Sequence, residues 1–151
     1  MAITHTSSKF TISLVEKDLF EKICNISALN VKYISPDINA DSLILSGDEK
    51  YFFDTNLPDI LSTLAGYFVR VMSKEDTYKV EGDNITLTFT SEKQSSAGEE
   101  SILYTLVEQY IIVEVLRLWY TSVAVNEVLA AKYTAEISSI DRRLRIALFT
   151  F

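Results

Sequence analysis

The chain has 151 residues, of which 48% are hydrophobic and 11% aromatic, with only 4 glycines and 2 prolines. This composition and length indicate one folded domain, residues 1–151, and exclude a disordered chain. The net charge of −7 excludes a general nucleic-acid binder, which needs a surplus of Lys and Arg to displace counterions.

The first predicted elements are a short strand and a helix. Lys9 to Leu14 alternates polar and apolar residues, which is typical of a strand. Ser13 and Glu16 stand at the spacing of a capping box, and apolar residues at helical spacing predict a helix from about Leu14 to Leu29. His5, the single histidine, precedes these elements in a tail that we expect to be mobile. The N-terminus shows no signal-peptide pattern.

The segment Asp37–Asp48 is the strongest candidate for a metal site. It places oxygen ligands at positions one, three and five, as an EF-hand loop does. Its sixth residue is Ser42 where the turn requires Gly, its twelfth is an aspartate that is shorter than the usual Glu, and the residues after it resemble a strand. We therefore interpret the segment as an acidic surface loop.

Two hairpins and a helix are predicted between residues 43 and 90. Leu43–Leu45 and Tyr51–Phe53 flank SGDEK and predict a small hairpin. Apolar residues at helical spacing predict a helix from Leu57 to Met72, with Pro58 in its first turn, where a missing donor costs nothing. The alternating residues on either side of EGDN, from Tyr78 to Thr90, predict a second hairpin.

The C-terminal third, Glu99–Phe151, predicts two long helices. Between Ile102 and Tyr120, 14 of 19 residues are aliphatic or aromatic. A helix that is apolar nearly all round must be covered on most sides, and we expect another subunit to supply part of that cover. The charged residues inside this run argue against a membrane span.

The second of these helices has an apolar stripe from Leu129 to Leu148 and charged residues opposite it. The short connection predicts an antiparallel pair. We therefore predict an α+β, mainly α domain. Residues 9–98 form a mixed part with one or two small β-hairpins, and residues 99–151 form a C-terminal helical hairpin.

The sequence provides no catalytic, cofactor-binding or metal-binding residues that we can assign. A nucleophile would lack the histidine base that usually activates it. Cys24 lies in an amphipathic helix and is typical of a small buried residue. Zinc needs clustered Cys and His, and the widely spaced glycines form no phosphate loop. We predict that the protein is not an enzyme and binds no cofactor.

The candidate functional residues are instead those of a protein interface. Glu114 and Arg117, three apart, pair with each other or act as a charge lock at a contact. Aromatic residues ending a buried helix serve as interface anchors or as core. The basic cluster on the last helix meets an acidic neighbour or a nucleic-acid backbone, or simply complements the helix dipole. The candidate interface residues are Tyr110, Glu114, Arg117, Trp119, Tyr120, Tyr133, Arg142 and Arg145.

Three stretches carry a family resemblance. They are FTISLVEKDLFEKICNISALN, YKVEGDNITLTF and VEQYIIVEVLRLWYTSVAVNEVLAAKYTAEISSIDRRLRIALF. In the last stretch an apolar helix ends on Trp119–Tyr120, and a second helix with Ala131, Tyr133, Glu136 and Leu144 follows. In these motifs and in the order of its parts, the chain resembles small head–tail joining proteins (neck, adaptor or tail-completion proteins) of tailed bacteriophages, of the Bacteroidetes phage type.

The resemblance implies a structural protein of the virion, assembled in the cytoplasm of the bacterial host. Such proteins form homo-oligomeric rings through heterologous contacts, touch portal, adaptor or tail subunits, and let DNA pass through the ring without reading its sequence. The alternative is an intracellular protein–protein interaction module that uses the C-terminal helix pair. A weaker alternative is a small hydrolase or ligand-binding domain.

Overall fold

The computed structural model describes residues 2–6, 9–32, 43–68, 78–90 and 97–149, and every structural statement below concerns these residues. They form four helices and a four-stranded antiparallel sheet, which confirms the predicted, mainly helical α+β class. In chain order the elements are β1 (Ala2–Thr6), β2 (Lys9–Val15), α1 (Glu16–Lys32), α2 (Lys50–Tyr67), β3 (Tyr78–Glu81), β4 (Asn84–Thr90), α3 (Ala97–Ser122) and α4 (Glu127–Leu148).

The sheet has the strand order β1-β2-β4-β3, and each neighbouring pair is antiparallel. Along β2 and β4 alternate residues face the helices and are buried, because successive side chains of a strand point to opposite faces; they are Phe10, Ile12, Leu14, Ile85 and Leu87. His5 belongs to β1, opposite Phe10. The segment expected to be a mobile tail is thus an edge strand, and no local sequence pattern indicates that it pairs with β2.

The predicted hairpin around EGDN is confirmed. A two-residue turn of Gly82 and Asp83 joins Glu81 to Asn84, which are paired. Gly82 has a φ of 59°, and a positive φ at the first central residue followed by a negative one is the backbone of a type II′ turn. Glycine adopts this conformation without steric cost.

The start of α1 differs from the predicted capping box. Ser13 lies inside β2, paired with Thr86, so it does not cap the helix. Glu16 is the first helical residue, and its amide donates to the carbonyl of Asp83 (2.7 Å) while its carboxylate accepts from Lys50 Nζ (3.3 Å). Glu16 therefore connects α1 to the β3–β4 turn and to α2, and burial raises the pKa of its carboxyl.

The predicted hairpin over residues 43–53 is wrong, because Lys50–Tyr67 is one continuous helix. Phe53 is fully buried and begins the buried stripe that continues with Leu57, Ile60 and Leu64, so its spacing belongs to a helix rather than a strand. Pro58 lies inside α2, not in its first turn. The part of the predicted helix beyond residue 68 lies outside the described residues.

Helix α3 occupies the centre of the molecule. It packs against α1, α2, α4 and β1, and twelve of its residues are buried. The antiparallel α3–α4 pair is confirmed. The chain itself therefore supplies the cover that the sequence analysis assigned in part to another subunit.

The segment before α2 is fixed to the helices by side-chain hydrogen bonds. Ser27, fully buried in α1, accepts from the amide of Leu45 (3.0 Å) and donates to the carbonyls of Cys24 (2.8 Å) and Leu45 (3.3 Å). Of the candidate EF-hand loop, residues 37–42 lie outside the described residues, and a helix, not a strand, follows it. Asp48 lies in the exposed 3₁₀ turn Gly47–Glu49.

We predict that Ser27→Ala destabilises the protein by about 1–3 kcal/mol, because the buried amide of Leu45 loses its acceptor. Urea unfolding followed by circular dichroism measures the change. The matched control is Ser122→Ala at an exposed position of α3, for which we expect less than about 0.5 kcal/mol. Equal effects of the two substitutions would contradict the role given to Ser27.

Candidate interaction surface

The four aromatic candidates from the sequence are core residues. Tyr110, Trp119, Tyr120 and Tyr133 are between 0% and 5% exposed in the single chain. Side chains this deeply buried cannot contact a partner while the chain keeps its fold. The structure thus places them in the packing of α3 against the other helices, and a subunit contact must use other residues.

Trp119 holds the segment before α2 in place. Its indole Nε1 donates to the carbonyl of Leu43 (3.0 Å), and its ring makes an edge contact with Phe52, with centroids 5.3 Å apart. A buried Trp usually finds a partner for its N–H. One side chain of α3 therefore fixes both the start of the segment and the first turn of α2.

Tyr120 and Tyr133 stack across the α3–α4 interface, with centroids 5.8 Å apart and planes at 9°. Asn30 of α1 donates to the hydroxyl of Tyr133, and burial raises the pKa of Tyr133 to about 12. This stack joins α4 to α3 and, through Asn30, to the end of α1. It is a structural contact, since it lies inside the chain.

Glu114 and Arg117 pair with each other, which is the first of the two roles that their spacing in the sequence suggested. Arg117 donates from Nε to one carboxylate oxygen (2.9 Å) and from Nη2 to the other (2.7 Å). This two-point pairing is the strong geometry of Arg with a carboxylate, and it raises the pKa of Arg117. Both side chains remain partly exposed, at 16% and 29%, at the edge of the core.

The two arginine candidates of α4 differ in their surroundings. Arg145 donates to Asp141 (3.2 Å) and lies 5.2 Å from the centroid of the Tyr67 ring. Tyr67 of α2 donates to the same carboxylate and lowers the pKa of Asp141. Arg142 is exposed and forms no ion pair with any residue that the structure describes. Arg145 thus joins α4 to α2, and Arg142 faces outward.

Helix α4 carries a second stripe opposite its core stripe. At 100° per residue, the side of α4 opposite the buried Leu129, Tyr133, Ile140 and Leu144 carries a line of small and apolar residues with one arginine, and the exposed Glu127 and Arg145 lie along one edge of that line. We call this line the outer stripe of α4. All its members are exposed, and they are Val128, Ala131, Ala135, Ser138, Arg142, Ile146 and, after the last turn, Phe149.

This stripe differs from the predicted charged face. Val128 is 79% exposed, Ile146 62% and Phe149 73%, whereas a solvated helix face normally carries charged and polar residues. Charged residues were predicted opposite the core stripe; of these Arg142 lies on the line, and the apolar residues of the line were not predicted. The three- and four-residue spacing of this line is helical and was a readable signal.

The turn between α3 and α4 adds apolar surface beside Val128. Val123 and Val125 are 52% and 69% exposed, while the side chain of Asn126 caps α4 by accepting from the amide of Leu129 (3.0 Å). Half of the ten large hydrophobic side chains that are exposed in the described residues lie between Val123 and Phe149. They group at the two ends of α4, and grouped exposed apolar side chains are typical of interaction sites.

A polar cleft of about 640 Å³ lies between β2, α1 and α3. It is open, and Lys22 and Glu108 form an ion pair (2.9 Å) within it, with the hydroxyl of Tyr104 at 3.4 Å from Glu108.

Cys24, half-buried in α1, has its thiol pKa raised by burial, which disfavours the thiolate that a nucleophile needs. In the described residues no three acidic, histidine or cysteine side chains gather as a metal site.

None of the helices in the described part of the chain is long and apolar enough to cross a membrane. Comparison of this chain with known protein families, with characterised proteins and with solved structures found no match.

We predict that Trp119→Ala lowers the free energy of unfolding by about 3–5 kcal/mol, because it opens a cavity in the core and removes the indole donor. Thermal or urea unfolding of the purified chain measures this. Ile102→Ala, at a 57% exposed position of the same helix, is the control, with an expected change below about 1 kcal/mol. A fully stable Trp119→Ala chain would contradict the core assignment.

We also predict that the Tyr67–Asp141 contact makes stability depend on pH. Because the pKa of Asp141 in the folded chain lies below its ordinary value of 3.8, the carboxylate stabilises the fold above that pH, and the stabilisation is lost as pH falls through the folded pKa. Asp141→Asn should be less stable than the wild type at pH 6, with the difference shrinking toward pH 3. In a Tyr67→Phe background the same substitution should have a much smaller effect.

Proposed function

We propose that the protein is a non-enzymatic structural subunit of a phage virion, a member of an oligomeric ring at the head–tail junction. The observation that carries the proposal is the exposed apolar surface formed by the α3–α4 turn and the outer stripe of α4. This surface needs a protein partner to be buried, while the core of the chain is complete without one. The proposal joins this surface to the sequence resemblance described above.

Neck, connector and tail-completion proteins act by geometry rather than by chemistry. A ring subunit needs a rigid body, contact faces toward its two neighbours, and further faces toward the portal, adaptor or tail proteins. Here α3 packs against the other three helices and β1, and α4 presents a face that the chain leaves uncovered. The acidic net charge of −7 suits a ring through which DNA passes without binding.

The same exposed face supports the alternative of an intracellular protein–protein interaction module. Such a module would use the outer stripe of α4 to hold one partner in a complex of fixed stoichiometry. The two functions differ in where the protein resides, because a ring subunit remains in the finished particle.

The test is deletion of the gene from the phage or prophage, with electron microscopy of the particles produced. We expect filled heads and free tails that fail to join, complementation by the wild-type gene, and density for the protein at the neck of complemented particles. A variant with Ile146→Asp and Phe149→Asp should fold but fail to complement. Normal particles without the gene, or particles that lack the protein, would contradict the proposal and favour the interaction module.

A further inference from the structure

Helix α2 also carries an exposed line of uncharged residues, and the exposed Asp59 lies directly beside this line. Opposite its buried stripe lie Tyr51, Thr55, Pro58, Ser62 and Gly66, all exposed. We call this line the outer stripe of α2. Tyr51 is 82% exposed, and no atom lies within 4 Å of the position that a Cβ at Gly66 would occupy. Apart from Tyr51 and Pro58 the stripe consists of small side chains, which allow another helix to approach closely.

The shapes of the two outer stripes are complementary. On α4 the large apolar side chains stand at the ends, at Val128, Ile146 and Phe149, and between them lie the small residues Ala131, Ala135 and Ser138, followed by Arg142. On α2 one large side chain stands at the start and small ones follow. A large residue of each helix can therefore pack over small residues of the other. The helices are also similar in length, about 27 and 33 Å at 1.5 Å per residue.

The charges beside the stripes are opposite in sign. Residues 48–67, which contain α2, hold four acidic residues and one lysine, and Asp59 among them forms no ion pair in the described part of the chain. The second half of α4 presents Arg142, Arg143 and Arg145, of which only Arg145 has a described acidic partner. Opposite charges orient two surfaces and speed their encounter.

We propose that the outer stripe of α4 on one copy of this chain packs against the outer stripe of α2 on the next copy. Each copy then offers two different faces, and the contact is heterologous, which repeats around a ring where the rotation closes. A two-fold contact with parallel α4 helices would bring the arginines of both copies together, and the equivalent contact of α2 with α2 would do the same for the acids. This inference rests on the proposed function, because it names the subunit contact of that ring.

Two substitutions test the contact, one on each face. Ser62→Arg places a long charged side chain in the outer stripe of α2, and Ala135→Arg does so in the outer stripe of α4. Both positions are exposed and helical, and Arg is a good helix former, so both variants should fold. The control is Asn25→Arg, an exposed position of α1, outside both stripes.

Sedimentation velocity of the purified full chain, over a range of concentrations at low salt, gives the readout. We expect the wild type and Asn25→Arg to form assemblies of several copies, and Ser62→Arg and Ala135→Arg each to remain monomeric. An equimolar mixture of the two monomeric variants should form a species of two chains and nothing larger. In that species the intact α4 of the Ser62→Arg copy meets the intact α2 of the Ala135→Arg copy.

The other outcomes overturn the inference. A wild type that remains monomeric at every concentration lacks the contact. A Ser62→Arg variant that assembles as the wild type does points to α4 meeting α4. A mixture that stays monomeric shows that the two faces do not meet. None of these results removes the protein from the virion, so the gene-deletion experiment separates failure of this contact from failure of the proposed function.

Discussion

The fold depends on the burial of α3. Twelve residues of this helix are buried. From Tyr110 to Tyr120 they lie on most sides of the helix, and in the first half they lie on one side. A single layer cannot cover such a helix, so the chain surrounds it with three helices and the edge of the sheet. The charged residues of α3 lie where this cover ends: Glu108 pairs with Lys22 of α1, and Glu114 pairs with Arg117. Placing them there avoids the cost of an unpaired charge in the core.

The helices that cover α3 can bury only one side of themselves. For α1 the outer side is mostly polar, with Lys17, Glu21 and Asn25 exposed and Leu29, 51% exposed, as its one large apolar side chain. For α4 the outer side carries Val128, Ile146 and Phe149 instead. Both helices cover α3, but α4 exposes a group of large apolar side chains and α1 does not. Because isolated exposed apolar residues are common on any protein, it is such a group that distinguishes an interaction face from ordinary surface.

The sequence was sufficient where a pattern was both local and regular. The hairpin around EGDN, the α3–α4 pair and the stripe of α1 follow from turn chemistry and spacing. The start of α2 was missed because Tyr51, Phe52 and Phe53 have the pattern of a strand. In the structure Phe53 is buried while Tyr51 is exposed, and only this difference in burial reveals the helix. The core role of Trp119 was undecided because its partner, the carbonyl of Leu43, is 76 residues away, and no local pattern specifies such a contact.

The distribution of charge explains how an acidic chain could associate with itself. Residues 127–149 hold four basic and three acidic residues, a net charge of +1, which leaves −8 on the rest of the chain. Like charges oppose a random encounter of two copies, so in the proposed contact the orientation in which the arginines of α4 approach the acids beside α2 would be favoured over others. The angle between the outer stripe of α2 and the outer stripe of α4 is fixed within each copy by the contacts of Tyr67 with Asp141 and Arg145. That angle, repeated from copy to copy, would decide whether the assembly closes and how many subunits it contains, so the packing of α2 against α4 inside one chain would set the geometry between chains.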